Sequence, residues 1–266
     1  MANAGAYARL VRAQVRAQAQ YRVSLWVDVG TSILFGLLDL AVVLVMFRVT
    51  PSLGGFGPAE VFLMAGLSGT GFAMADLCVG SIERIGTYVR TGALDAVLVR
   101  PLGTLGQLLA TDFAPRRAGR MVIMAIILVA ATRFAGVDWT PARVALAVLT
   151  PLAAAVLFSA VFIGTAVVAF WWIESREFAS GLTYGGREFA TYPMSVYDGL
   201  FRNVFAFGAG FAFTGYYPAL VLLERPDPLG LPALAGWLSP LVALPAAAAA
   251  AIVWRTGIRH YRSTGS

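Results

Sequence analysis

The sequence predicts an all-α membrane protein: six transmembrane helices, an N-terminal in-plane helix, and a cytoplasmic amphipathic helix between spans two and three. Three observations carry that expectation. The 266 residues are 59% hydrophobic and 13% charged, with a mean hydropathy of +0.75, whereas a soluble domain carries about 25% charged residues. Several windows reach the ~20 mainly apolar residues that a bilayer crossing needs. The basic residues are all arginine and gather in the segments that flank those windows, the pattern that sets membrane orientation.

Taken in order, residues 4–22 place Tyr7, Val11, Val15 and Ala19 on one helical face and Arg9, Arg12 and Arg16 on another. This predicts a helix lying in the membrane surface; a solvated tail is the alternative, and no cleavable leader is expected. The first span is expected at 23–47, with Asp28 and Asp39 inside it. The second, at 59–80, has Ala65, Gly66, Ser68, Gly69, Gly71, Ala73 and Ala75, small residues that let helices approach closely, and Asp76 near its end. The third is expected at 118–136, with its arginines snorkelling to the interface. The fourth, at 143–173, is longer than a ~30 Å hydrocarbon core, so it must tilt, kink or protrude, with Pro151 the expected kink.

Residues 174–198 are polar and glycine-rich. The GLTYGG run at 181–186 has neither a lysine nor a preceding strand, so it reads as a flexible loop and not a phosphate cradle. The fifth and sixth spans are expected at 200–223 and 236–255, and the whole chain 1–266 reads as one domain. With the N-terminus inside, Arg9, Arg12, Arg16, Arg22, Arg84, Arg90, Arg100, Arg116, Arg117, Arg120, Arg176, Arg187, Arg202, Arg255, Arg259 and Arg262 fall on the inner side. Only Arg48, Arg133, Arg143 and Arg225 fall outside. That asymmetry predicts two cytoplasmic termini.

The stretch that interrupts the apolar windows is SIERIGTYVRTGALDAVLVRP, residues 81–101. Ile82, Ile85 and Val89 share one helical stripe while Glu83, Arg84 and Arg90 lie off it. Gly92 breaks the run, Leu94, Val97 and Leu98 form a second stripe, and Arg100-Pro101 closes it. An amphipathic helix over about 82–98, on the arginine-rich side, suits a part that touches another protein.

Enzymatic classes fall away by composition. Cys78 is the single cysteine and His260 the single histidine, so neither a histidine-activated nucleophile within the spans nor a multi-ligand His/Cys metal site can form. The chain has no lysine and no GxxxxGK[ST] pattern, which excludes a P-loop nucleotide site. No Gly-x-Gly-Asp setting surrounds the membrane aspartates, and the spread of charge argues for topology over nucleic-acid binding. Asp28, Asp39 and Asp76 still need an account, since a charge near mid-membrane costs about 2.5–3.5 kcal/mol on insertion scales. They either line a substrate path or proton relay, or are buried and hydrogen-bonded to a neighbouring helix or to an arginine of a partner. Phe205, Phe211, Tyr216 and Tyr217 make the fifth region aromatic, and serve either lipid-facing packing or the wall of an apolar path. Trp171 and Trp172 suit interface anchors.

The helix layout resembles that of type-2 ABC exporter permeases. GTYVRTGALDAVLVRPL (86–102) is similar to the G…LD..L.RPL segment of a bacterial subgroup of that family, and residues 192–223 are similar to its YP..VY…LR…F…FAF..YYPA block. One departure is Gly210, where the subgroup pattern has proline, which would relax a kink in the fifth span. The resemblance implies a permease that docks two copies of a cytoplasmic ATP-binding subunit and pairs with a second permease, as homo- or heterodimer. No cofactor would be bound by this chain; ATP and Mg belong to the partner ATPase. It also implies that the 82–98 element is a coupling helix, with Glu83, Arg84, Tyr88, Arg90, Leu94, Asp95 and Arg100 at the ATPase. The substrate path would be lined by spans one, two and five, in a bacterial plasma membrane. Two rival readings stand beside it: an ion-coupled carrier with Asp39 as its proton site, and a non-transporting membrane scaffold.

Overall fold

The computed structural model describes residues 2–20, 22–172 and 174–261; Arg262 lies outside them. Among the described residues the regular structure is helical, with one isolated bridge between Leu53 and Phe56 and no strand. In chain order the first α-helices are α1 (Ala2–Gln20), α2 (Arg22–Val49), α3 (Pro58–Val79), α4 (Ile85–Arg90), α5 (Ala93–Leu98) and α6 (Thr104–Thr111). There follow α7 (Ala118–Phe134), α8 (Pro141–Val167), α9 (Arg176–Thr191), α10 (Gly199–Arg202), α11 (Tyr216–Leu222), α12 (Leu234–Leu238) and α13 (Ala243–His260).

The others pack around α3. In the helical run Pro58–Arg90, 67% of the apolar window is buried, against 11% for Trp26–Val49 and 17% for Leu234–His260. The small-residue stripe is the cause. A Cβ on Gly66 would stand 2.9 Å from Leu128 Cα of α7, and one on Gly71 would stand 2.4 Å from Ala154 Cβ of α8. The backbones therefore meet where the side chains are absent. Pro58 opens α3 in its first turn, and the Gly57 N–H donates to Glu60 Oε2 at 2.7 Å, which fixes that end. α8 runs without interruption through Pro151, and the surplus of its apolar stretch ends in a 3₁₀ turn at Val168–Phe170.

Polar contacts define two opposite ends. At one, Arg225 donates to Glu60 at 2.7 Å and lies over the Phe56 ring at 4.7 Å, and Arg143 pairs with Glu224. At the other, Asp28, Glu83, Asp112, Arg116 and Arg117 surround one cavity. α2, α3, α7, α8 and the run Leu234–His260 each join the Glu60 end to the Glu83 end.

So does α9, where a polar loop was expected. Arg176 and Ser175 line a recess with Glu83, while just beyond the other terminus of α9 Ser195 Oγ donates to the Gly54 carbonyl at 2.9 Å. Ala179, Thr183, Gly186 and Ala190 are buried, a stripe of helical period hidden by the small and polar residues that form it. GLTYGG is thus a helical segment, and Gly186 is a packing position, since a Cβ there would meet the Phe211 ring at 2.5 Å.

The stretch expected as span five is bent. α10 continues through π-type turns to Gly208, and the run Phe211–Leu222 leaves at 59°. Gly210, at φ +79°, sits at the break, so glycine here creates a sharp bend where the sequence pattern suggested a relaxed one. The stretch starts beside Gly54, which faces Val196. Phe201 and Phe205 run back along Phe189 at 5.4 and 5.6 Å, and Phe211 stacks on Phe158 at 5.6 Å. The chain then passes Ser68, which accepts from Thr214 at 3.1 Å. It returns to the Gly54 end, where Arg225 donates to the Gly55 carbonyl at 3.2 Å.

Two smaller expectations also change. α1 turns Tyr7, Leu10, Val11, Gln14 and Gln18 toward the protein, while Val15 and Ala19 of the expected face are exposed, with Arg9, Arg12 and Arg16. The 82–98 element is not one helix. A 3₁₀ turn (Gly80–Arg84) and α4 prolong α3 into one 33-residue run, Pro58–Arg90. Gly92, at φ +70°, then turns the chain into α5.

Candidate functional site

At the Glu83 end the chain presents the turn after α5. Ile82, Ile85, Val89 and Leu94 are at most 4% exposed and anchor this segment in the core. Leu98 is 40% and Val99 83% exposed, and Arg90, Arg100 and Pro101 are exposed too. The Gln107 amide donates to the Val97 and Leu102 carbonyls at 3.2 and 2.8 Å, holding the turn from beneath. The Tyr7 hydroxyl accepts from the Gly103 N–H at 2.8 Å, which clips α1 onto the same turn.

The residues singled out in the sequence divide here. Arg90 and Arg100 stand on the surface. Arg84 is exposed and bound to Asp112 at 2.7 Å, with Tyr88 beside the same carboxylate. Glu83 faces inward to Arg117 at 3.8 Å, and Leu94 is buried, because each lies on the side of its short helix that meets the bundle. Asp95 faces Tyr261 beyond the end of α13; burial first, and then that carboxylate, raise the pKa of the phenol above its ordinary value.

All three membrane aspartates are paired with arginine. Arg116 lies 3.7 Å from Asp28. Arg117 pairs with Asp76 and also donates to the Asp76 carbonyl at 3.1 Å. Arg120 donates to Asp39 Oδ2 at 3.0 Å, and the same oxygen accepts from Arg187 of α9. Arg187 is 6% exposed and lies 5.5 Å from the centre of the Phe72 ring. Charge held among apolar helices is costly unless it is matched and hydrogen-bonded, and these pairs supply the match. Gly80 makes one of them possible: a Cβ there would stand 1.8 Å from Arg117 Nη1. In the sequence Arg116, Arg117, Arg120 and Arg187 stand as orientation signals, and those at the third span as snorkelling arginines. Three of them sit within five positions at the start of α7, facing aspartates on two other helices, and that density was the available sign.

The aromatics lie inside the protein. Phe211 and Tyr216 are 2% and 0% exposed; the Tyr216 hydroxyl donates to Asp227 Oδ1 at 2.8 Å. Phe205 is half-buried on Phe189. Tyr217 is 2% exposed and borders a cavity of about 570 Å³ at the Glu60 end, with Arg143, Arg225 and Trp237. Asp39 borders a recess of about 30 Å³.

Residues 33–265 match the family model described as ABC-2 family transporter protein. No curated protein and no solved structure matches the chain.

Proposed function

Given that the chain belongs to the ABC-2 transporter family across residues 33–265, it is a membrane permease subunit of an ABC transporter, and we propose that it works as an exporter driven by separate ATPase subunits. The observation that carries the ATP-coupled part is the turn after α5. It follows, across the Gly92 turn and α5, a run, Pro58–Arg90, of 33 residues, about 50 Å long. A run of that length outreaches a ~30 Å hydrocarbon core and projects its tip into the cytoplasm. Leu98, Val99 and Arg100, flanked by Arg90, form the docking surface for the ATPase; Glu83, Tyr88 and Leu94 hold that surface in place from behind.

The helix ends support six crossings with both termini cytoplasmic in a bacterial plasma membrane: α2, α3, α7, α8, α9 and Leu234–His260. In this reading α9 is the fifth span and 199–222 is a re-entrant pair entering from outside. Arg202 moves to the outer side and Arg187 into the membrane, and the inner excess of arginine remains. α2 exposes Leu34, Phe35, Leu38, Val42 and Val45, an apolar face for a second permease, identical or different. The substrate path runs between the two permeases, and its cargo is apolar or amphipathic, because the membrane charges are already paired. ATP with Mg is bound and hydrolysed in the partner. Pairing of Asp39 with two arginines accounts for that residue without a proton relay.

The test is co-purification of the tagged chain, expressed with its genomic neighbours, with any ATP-binding subunit that stays bound. The double variant Val99→Asp, Arg100→Glu should lower ATPase retention by about tenfold, the scale of a lost interface anchor, with membrane insertion unchanged. Retention equal to the parent would remove this turn from the coupling role.

A further inference from the structure

The cavity at the Glu83 end points to a site that transport does not use. We propose that it binds the phosphate group of an inner-leaflet lipid headgroup, with Arg116 and Arg176 as the two ligands. The cavity measures about 540 Å³ and lies where α1, α2, the turn Gly80–Arg84, the segment before α7 and the start of α9 meet. Four arginines and three carboxylates line it, and the arginines are not equivalent. Arg84 is held by Asp112 at 2.7 Å and Arg117 is held by Asp76. Arg116 stands 3.7 Å from Asp28 with its side chain 53% exposed, beyond hydrogen-bonding distance. Arg176 is exposed, and among the described residues it has no ion-pair or hydrogen-bond partner; its charge acts on Glu83 across the cavity.

The unpaired guanidinium of Arg176, with that of Arg116 held only by a 3.7 Å ion pair and no hydrogen bond, suits a phosphate, which each can bind through paired N–H donors. Lipid and free phosphate share that chemistry, and the surroundings favour lipid. The cavity is bordered by α1, whose Arg9, Arg12 and Arg16 are exposed. Next to Asp28, α2 exposes Trp26 at 71% and Val27 at 61%, an apolar wall along which acyl chains can lie with a tryptophan at the headgroup level. The proposal needs the cytoplasmic placement of this end and does not depend on an ATPase partner.

The test uses the full chain, purified in detergent, stripped of lipid and supplied with dioleoyl phosphatidylglycerol, with retained lipid counted by native mass spectrometry. The parent should keep one lipid per chain. Arg116→Gln and Arg176→Gln should each weaken retention by about tenfold, the scale of one charge-assisted hydrogen bond, while Arg133→Gln at the opposite end should not. Arg176→Gln is decisive because it breaks no ion pair and so leaves the fold intact. Equal retention by the parent and Arg176→Gln, or no retention by the parent, would overturn the proposal. Displacement of the lipid by an equal concentration of inorganic phosphate would overturn its lipid source; persistence of the lipid supports it.

Discussion

α9 and the stretch 199–222 exchange the roles that their compositions suggest. α9 carries Arg176, Glu177, Arg187 and Glu188 together with three glycines, yet it joins the two ends of the molecule. Residues 199–222 are rich in aromatics with Arg202 as their one charge, yet they begin and end at the same end. The difference lies in what each segment faces. The buried polar groups of α9 are met by protein: Thr183 lies 3.2 Å from Thr165 and Arg187 binds Asp39. A helix whose polar atoms are satisfied by its neighbours has no need of an apolar surface toward lipid. The second arm of the apolar run, conversely, is spent on burial: Tyr216, Tyr217 and Leu222 are at most 2% exposed, while Leu200 and Phe201 of the first arm stay exposed. Hydropathy reports how much apolar surface a segment has, not whether lipid or protein covers it.

This contrast can be broken at its polar side first. Asp39→Asn would leave Arg120 without a carboxylate and Arg187 with Glu188 alone, at 2.6 Å. Removing one partner of a buried ion pair costs about 3–5 kcal/mol, so a fall of that size is expected in denaturant unfolding of the purified protein. A change below ~1 kcal/mol, the range of surface pairs, would mean that α9 is not anchored by this contact. The packing side gives a smaller effect. Gly186→Val should cost about 1–3 kcal/mol by overpacking against Phe211. Gly185→Ala next to it, with open space around its Cβ, should gain about 0.5 kcal/mol from helix propensity. Equal responses at both positions, read as thermal midpoints, would deny the close approach of α9 to the bent pair.

Much of the fold was legible because long apolar windows and small-residue stripes are local signals. The windows of α2, α3 and α8 announce themselves by length, and Gly66 and Gly71 announce the close packing of α3. Gly92 was legible as a break for the same reason. What escaped were pairings between distant positions. Asp39 meets Arg120 from 81 residues away and Arg187 from 148, and no periodicity within either segment encodes the match. The stripe Ala179–Thr183–Gly186–Ala190 was in the sequence, but its residues bury little apolar surface and so do not register as a membrane face. In the 81–101 stretch the apolar stripes were legible. The residues that reach the surface, Leu98 and Val99 foremost, follow from the Gly92 turn, whose direction depends on the backbone.

The proposed topology, in which α9 crosses the membrane and 199–222 returns to the side it came from, has a direct test. In a Cys78→Ala background, single cysteines at Ser195 and Arg225 would be exposed to a membrane-impermeant thiol reagent added to intact cells. The account predicts that both positions are labelled from outside, since Ser195 bonds Gly54 and Arg225 bonds Gly55 at one end. Labelling of Ser195→Cys only after the membrane is opened, with Arg225→Cys labelled from outside, would make 199–222 a span and contradict it.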